Sequence, residues 1–253
     1  MWIYEWHHSN GGRASAIVAR AKHVGLSSLY LRTGSSWDGL TAGRTLPALL
    51  HATRGSKLRV IAWDFPRLKR PARDARRMAH AAWLGRAHRD PHVAAVAPDI
   101  ETPAEGTFNA AWRVRLYLHV LRKHLPAGVS ILSTVPWPSS YRRRDYPYWT
   151  VARGSDVLVP MAYWYNNSPG LVTARSMRYL RQFRKPVAPV GQGYDGKLDV
   201  PSLHHNNLAR EVPVFLRTAA HAGARAVSIW SWQSAKPATW RALARAHRLF
   251  DQR

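Results

Sequence analysis

The stretch HAGARAVSIWSWQ, His221 to Gln233, passes from one kind of element to another within a few residues. Before it, VPVFLRTAAHA (212–222) carries apolar residues at helical spacing. Gly223 stands where a helix C-terminus commonly admits a left-handed residue. The run AVSIWSWQ (226–233) is rich in the β-branched and aromatic residues of a strand. One junction of this kind, repeated, specifies an alternating α/β chain.

The junction recurs. Gly128 separates the helical span Ala110–His124 from VSILSTVPW (129–137), and Gly25 separates Gly12–His23 from LSSLYLR (26–32). Carried along the chain, the pattern gives further candidate strands at 2–6, 58–65, 93–101, 156–164 and 186–194, with Pro71–Ala87 among the helical spans. Eight strands, each followed by a helix, predict a single (β/α)8 TIM barrel over residues 1–253. The strands read as apolar runs, as in a parallel sheet buried on both faces. A doubly wound open sheet is the alternative, but HHSNGG (7–12) after the first strand is not a G-x-G-x-x-G phosphate loop.

Composition sets the outer limits. A chain that is 46% hydrophobic and 21% charged buries a core. The absence of cysteine excludes disulfides, thiol catalysis and thiolate metal sites. No apolar run is long enough to span a bilayer, so no membrane insertion is expected. No leader pattern is visible, and the compartment stays open, with a secreted or wall-associated location favoured. The 38 Lys and Arg against 14 Asp and Glu give a formal charge of +24. Such a surface attracts nucleic acid, anionic lipid or an acidic cell-wall polymer. The arginines are scattered over helices, which favours a diffuse basic surface over a dedicated nucleic-acid site.

In barrels of this kind chemistry gathers at the C-terminal strand ends. The fourth strand ends in VAAVAPDIETPAEG (93–106), where Asp99 and Glu101 are two apart and share a face. Two carboxylates in one pocket mouth repel each other, and burial adds to this, so at least one is held protonated near neutral pH. One can then donate a proton while the other stays ionised, the division of labour that glycoside cleavage requires. The plain alternative is a pair of rim charges held by arginines such as Arg32. Glu5 and Asp64 end neighbouring strands and are further candidate nucleophiles or bases. Trp6, Trp63, Trp137, Trp230 and Trp232 fall at strand ends and offer indole faces to sugar rings, with Arg32, Met161 and Gln192 beside them. Trp230 and Trp232 are expected to share a face. The pairs His7-His8 and His204-His205 do not make a metal site, because neighbours on a strand point apart, and no cofactor or metal is expected.

Three motifs carry a resemblance. The chain resembles the barrel glycoside hydrolases with a D-x-E motif on the fourth strand, the group of family 18 chitinases and family 25 lysozymes, through Asp99-Ile100-Glu101, Met161-Ala162-Tyr163 and the tryptophan-bearing SIWSW (228–232). The resemblance implies Glu101 as general acid, Asp99 as the carboxylate that orients a substrate acetamide, Tyr163 as its helper, and Trp230 or Trp232 as the floor of a sugar subsite. Ala97 stands where the chitinase pattern has a further Asp, and Glu5 where the lysozyme group has an Asp. The expected function is hydrolysis of a glycosidic bond in a polysaccharide, a cell-wall or amino-sugar polymer. The alternatives are a non-catalytic carbohydrate-binding barrel and a basic nucleic-acid-binding protein.

Overall fold

The computed structural model of the chain describes residues 1–84 and 92–246. Residues 85–87, the end of the expected helix Pro71–Ala87, lie outside the described residues. Strands β1 (Trp2–Ile3), β2 (Ser28–Ser35), β4 (Arg59–Phe65), β5 (Ala95–Pro98), β6 (Ser130–Pro136), β7 (Val157–Ala162), β8 (Val190–Gln192) and β9 (Ser228–Trp230) pair in parallel, each with the next, in chain order. β3 (Gly39–Leu40) folds back antiparallel on β2. Helices α1 (Ala14–His23), α2 (Thr45–Ala52), α3 (Pro71–Leu84), α4 (Ala111–His124), α5 (Ser140–Asp145), α6 (Tyr148–Gly154), α7 (Pro169–Leu180), α8 (Leu208–His221) and α9 (Pro237–Ala246) alternate with the strands. This is a nearly closed (β/α)8 TIM barrel. The glycines at the helix-to-strand junctions hold the required positive φ, 82° at Gly128 and 70° at Gly223.

No ladder joins β9 to β1 among the described residues. The seam is bridged instead by the Trp232 amide, which donates to the Trp2 carbonyl at 2.7 Å, and by Trp2 Nε1, which donates to Ser228 Oγ at 2.9 Å.

Strand alternation divides the apolar residues into two cores. Trp2, Tyr30, Ile61, Trp63, Ala95, Ala97, Val159, Met161 and Val190 fill the barrel interior. A larger cluster, including Ile3, Leu31, Ala62, Val96, Ile131 and Leu158, packs the outer strand faces against the helices. The fit of that outer layer is close, since a Cβ on Gly191 would lie 2.6 Å from the Phe215 ring.

Several strands are shorter than their sequence suggests: β5 covers Ala95–Pro98 of the expected 93–101 and β8 Val190–Gln192 of the expected 186–194, and at β1 and β9 the cause is visible. β1 stops at Ile3 rather than residue 6, because Ser9 closes a turn by donating its amide to the Trp6 carbonyl and its hydroxyl to the Glu5 carbonyl. β9 stops at Trp230 rather than residue 233, where Ser231 and Ser234 form a hydrogen-bonded turn.

Candidate active site

The site is built on the end of β5. Ala95 and Ala97 belong to the inner core, so strand alternation carries the same face up to Asp99. The backbone there is pinned from several sides. The Asp99 amide donates to the Asp64 carbonyl at 2.9 Å, and the Ile100 amide donates to the Thr134 carbonyl at 3.1 Å. The Tyr146 hydroxyl donates to the Ile100 carbonyl at 2.7 Å, and Asn109 Nδ2 donates to the Glu101 carbonyl at 3.1 Å. A segment bonded at successive residues holds its side chains in fixed positions, which is the preorganisation that chemistry needs.

Asp99 is buried and Glu101 is half-buried. Burial, and then the charges of Glu105 and Asp64, push the Asp99 carboxyl up to about 7. Burial, and then the charges of Asp99 and Glu105, hold Glu101 well above the usual carboxylate range, against the opposing pull of Arg142. The Tyr163 phenol is raised by burial and by the charges of Asp99 and Glu101, so it stays a hydrogen-bond donor beside them. Six side-chain atoms among the described residues are buried without a hydrogen-bond partner, Arg32 Nε, Ser139 Oγ and Gln233 Oε1 together with Asp99 Oδ1, Thr134 Oγ1 and Arg142 Nε. Thr134 is the bridge partner of Asp99, and Arg142 acts on Glu101, so the last three gather about one pair of acids. Buried polar atoms are ordinarily paired, and such a cluster suits a polar ligand.

Aromatic rings line the interior below. Trp2 stacks on Tyr30 with centroids 4.2 Å apart. Above them Trp63 and Trp230 meet edge to face at 5.3 Å, Tyr4 and Trp230 are tilted at 5.8 Å, and Tyr4 stacks on Trp63 at 6.2 Å. Tyr4 is exposed and Trp230 half-buried, so both reach the mouth. Arg32 lies over the Tyr4 ring at 4.9 Å, and its Nη2 bonds Asp38 at 2.7 Å. It therefore does not neutralise Asp99 or Glu101.

Several sequence expectations need correction. Asp64 points out of the barrel, since its neighbour Trp63 points in. It receives Arg77 Nε at 2.8 Å and Nη2 at 2.6 Å, a buried pair that Asp74 extends through Arg77 Nη1 at 2.7 Å. Glu5 is exposed and pairs with His8. Trp6 and Trp137 pack on the outer core, because the chain has turned away before the first and lies past the end of β6 at the second. Trp232 does not share a face with Trp230. It is buried in the outer layer, edge-on to Trp240 at 4.8 Å, with its Nε1 donating to Asn10 Oδ1 at 3.1 Å.

Met161 and Trp63 lie within the inner core as fully buried residues. Gln192 is also buried, and it ties loops together by accepting from the Tyr165 amide and donating to Asn206 Oδ1, both at 2.8 Å. Tyr4 and Arg142 are site residues that sequence reasoning missed. Alternation from Trp2 points to Tyr4, whereas Arg142 sits in the run RRR (142–144), which reads as a solvated face. A cavity of about 450 Å³ between α8 and α9, lined by Ala209, Leu216 and Ala242 among others, holds no carboxylate and stands apart from the mouth.

No protein-family model and no curated protein sequence matches the chain. Solved structures do resemble it. A GH113 β-1,4-mannanase has a TM-score of 0.70 at 11% identity, over 98% of this chain and 96% of its own. A GH99 endo-α-mannosidase from Bacteroides thetaiotaomicron has 0.69 at 12%, over 94% and 82%. A class V chitinase from Pseudomonas fluorescens Pf-5 has 0.62 at 12%, over 91% and 95%. The chain therefore shares its fold with TIM-barrel glycoside hydrolases of several families. At such identities the likeness is one of fold.

Proposed function

We propose that the protein hydrolyses a glycosidic bond within a polysaccharide, a cell-wall or amino-sugar polymer, with Glu101 as the general acid and Asp99 as its partner. One observation carries the reading. Two carboxylates stand together beyond the end of β5, and among the described residues neither forms an ion pair with an arginine, while burial and neighbouring acids hold both above their ordinary range. Structural ion pairs lower carboxylate values, and catalytic acids need them raised. The mannanase, endo-mannosidase and chitinase chemistries of the structural neighbours support the same class.

The roles follow from position. Glu101 lies further along the chain than Asp99, is favoured in its protonated form by burial and by the charges of Asp99 and Glu105, and gives its proton to the glycosidic oxygen. Asp99, deeper and pinned, faces the sugar from below and stabilises positive charge as the bond breaks. Asp64 and Glu5 are engaged with Arg77 and His8, which leaves Asp99 as the partner. Tyr163 donates its phenolic hydrogen bond beside the two acids. Tyr4 and Trp230 offer the aromatic floor.

Glu101→Gln keeps the shape of the side chain but cannot donate the proton. Turnover should fall by roughly 10²–10⁴ while oligosaccharide binding persists. Near-normal turnover by this variant would remove Glu101 from its role. A screen of acetylated and non-acetylated polymers sorts the role of Asp99: clean cleavage of a non-acetylated glycan excludes obligatory acetamide assistance. Wild-type protein that binds glycans without cleaving any would mark a carbohydrate-binding barrel instead.

A further inference from the structure

Beside the mouth, between the β2–β3 turn and the loop from β4 to α3, lies a cavity of about 450 Å³. Trp37, Arg67, Lys69, Arg70 and Arg73 line it. We propose that this cavity is a subsite for the negatively charged groups of the polysaccharide, so that the substrate is an acidic glycan; this rests on the glycosidase reading above.

Three observations distinguish the cavity from a basic surface in general. First, its cations are unopposed. Among the described residues, Arg67, Lys69, Arg70 and Arg73 form no ion pair, while the buried Asp74 in the lining is already committed to Arg77, to Ser36 Oγ at 2.8 Å and to the Leu68 amide at 3.0 Å. Second, the walls are fixed. Ser36 Oγ also receives the Arg67 amide at 2.8 Å, and the backbone turns through a left-handed Leu68 with φ of 59°. A preorganised basic recess costs less to order around an anion than loose surface arginines do.

Third, the cavity is tied to the loop that carries Glu101, and stacked groups run outward from that link. Phe65 ends β4, two positions after Trp63. Trp37, more than half exposed, stacks on Phe65 at 5.0 Å with the rings 24° apart. Arg67 lies over Trp37 at 4.9 Å and donates its Nε to the Gly106 carbonyl at 3.1 Å, in the loop that begins at Glu101. Beyond Arg67 the exposed Phe108 and Trp112 continue outward, with Arg113 over both. Exposed rings interleaved with guanidinium groups suit a polymer that presents apolar sugar faces and anionic substituents in turn. A neutral glycan would use the rings and leave the cations idle. The anion is a sugar carboxylate or a phosphodiester, both of which fit guanidinium forks.

The test uses the full chain carrying Glu101→Gln, so that ligands bind without being cleaved. The probes are an oligogalacturonate for carboxylate, a poly(glycerol phosphate) for phosphodiester, a neutral mannan oligosaccharide and single-stranded DNA, each titrated at physiological salt. One of the two anionic probes should bind at least tenfold more tightly than the neutral one. Adding Arg70→Ala with Arg73→Ala should weaken it tenfold or more, as should Trp37→Ala. Arg153→Ala with Arg178→Ala, which removes two exposed charges near the C-terminal ends of α6 and α7 at the opposite end of the barrel, should change it less than twofold. Thermal unfolding of every variant checks that the fold is kept. Equal losses from both pairs, equal binding of the neutral oligosaccharide, or tighter binding of DNA than of either anionic probe overturns the proposal. Turnover by otherwise wild-type protein separates the two readings. Cleavage of neutral glycans that is indifferent to Arg70 and Arg73 overturns the subsite and leaves the hydrolase. Cavity-dependent binding with no cleavage of either anionic polymer supports the subsite and overturns the hydrolase.

Discussion

Asp99→Asn should make the protein more stable at alkaline pH and less active. The sign follows from the raised carboxyl. Below its ordinary value of 3.8 the group is protonated in both folded and unfolded chains, and stability does not depend on it. Between 3.8 and about 7 the unfolded chain has released the proton and the folded chain still holds it, so stability falls as pH rises. At 1.36 kcal/mol for each pH unit, the full cost above that window is about 4 kcal/mol, of which about 3 kcal/mol accrues between pH 5 and pH 8. Asparagine carries no charge and escapes this cost. Its buried amide donors bring a penalty of about 1–3 kcal/mol, but that penalty does not vary with pH. The difference between variant and wild type, measured by urea unfolding from pH 5 to pH 8, should therefore widen by about 3 kcal/mol in favour of the variant. Parallel stability profiles would refute the argument that burial and neighbouring acids hold Asp99 high. A variant that gains stability and loses turnover would place Asp99 among residues whose strain serves function.

Three further outcomes test the placement of individual residues. Asp64→Ala, which leaves the Arg77 guanidinium without its principal partner, should cost about 3–5 kcal/mol in urea unfolding while turnover per folded molecule changes less than tenfold. Trp232→Ala should cost about 3–5 kcal/mol of stability, whereas Trp230→Ala should weaken oligosaccharide binding by about 1–3 kcal/mol, by analogy with aromatic stacking on bases. Gly191→Ala, whose Cβ would press on the Phe215 ring, should cost about 1–3 kcal/mol of stability, read as a lower urea midpoint with the slope unchanged.

The barrel was legible because several helix-to-strand junctions repeat the same chemistry, with a positive-φ glycine at Gly25, Gly55, Gly128 and Gly223 and a strand-forming run after it. Alternation carries the face of Ala95 and Ala97 as far as Asp99, which bridges Thr134, while Glu101 lies in the loop beyond the strand. Errors arose where alternation was applied too loosely or too far. Trp63 and Asp64 are adjacent and so cannot both face the mouth, and the aromatic one won the interior. Trp230 and Trp232 have matching parity, but the strand ends between them. The same early ending of β1 put Tyr4, rather than Glu5 or Trp6, at the mouth. Strand ends are fixed by turn hydrogen bonds such as those of Ser9 and Ser231, which a hydrophobic pattern does not encode. Arg142 was hidden for a different reason. Its meaning comes from a carboxylate some forty positions earlier in the chain, brought near only by folding.

The seam between β1 and β9 bears on how the chain reaches this state. Trp2 and Ser228 are 226 positions apart, so their contact closes nearly the longest loop the chain contains. The entropic cost of closure grows only slowly with length, yet it must be met before the contact can repay it. Every other neighbouring pair of strands is joined by a short crossover, and can zip in turn. The seam is then expected to be the last join to form and the first to part. The indole of Trp2 that fastens it also touches Trp63 and Trp230 beneath the mouth. Transient parting of the cylinder wall would therefore be felt first at the rings of Trp63 and Trp230, and hydrogen exchange at the Trp232 amide would time it.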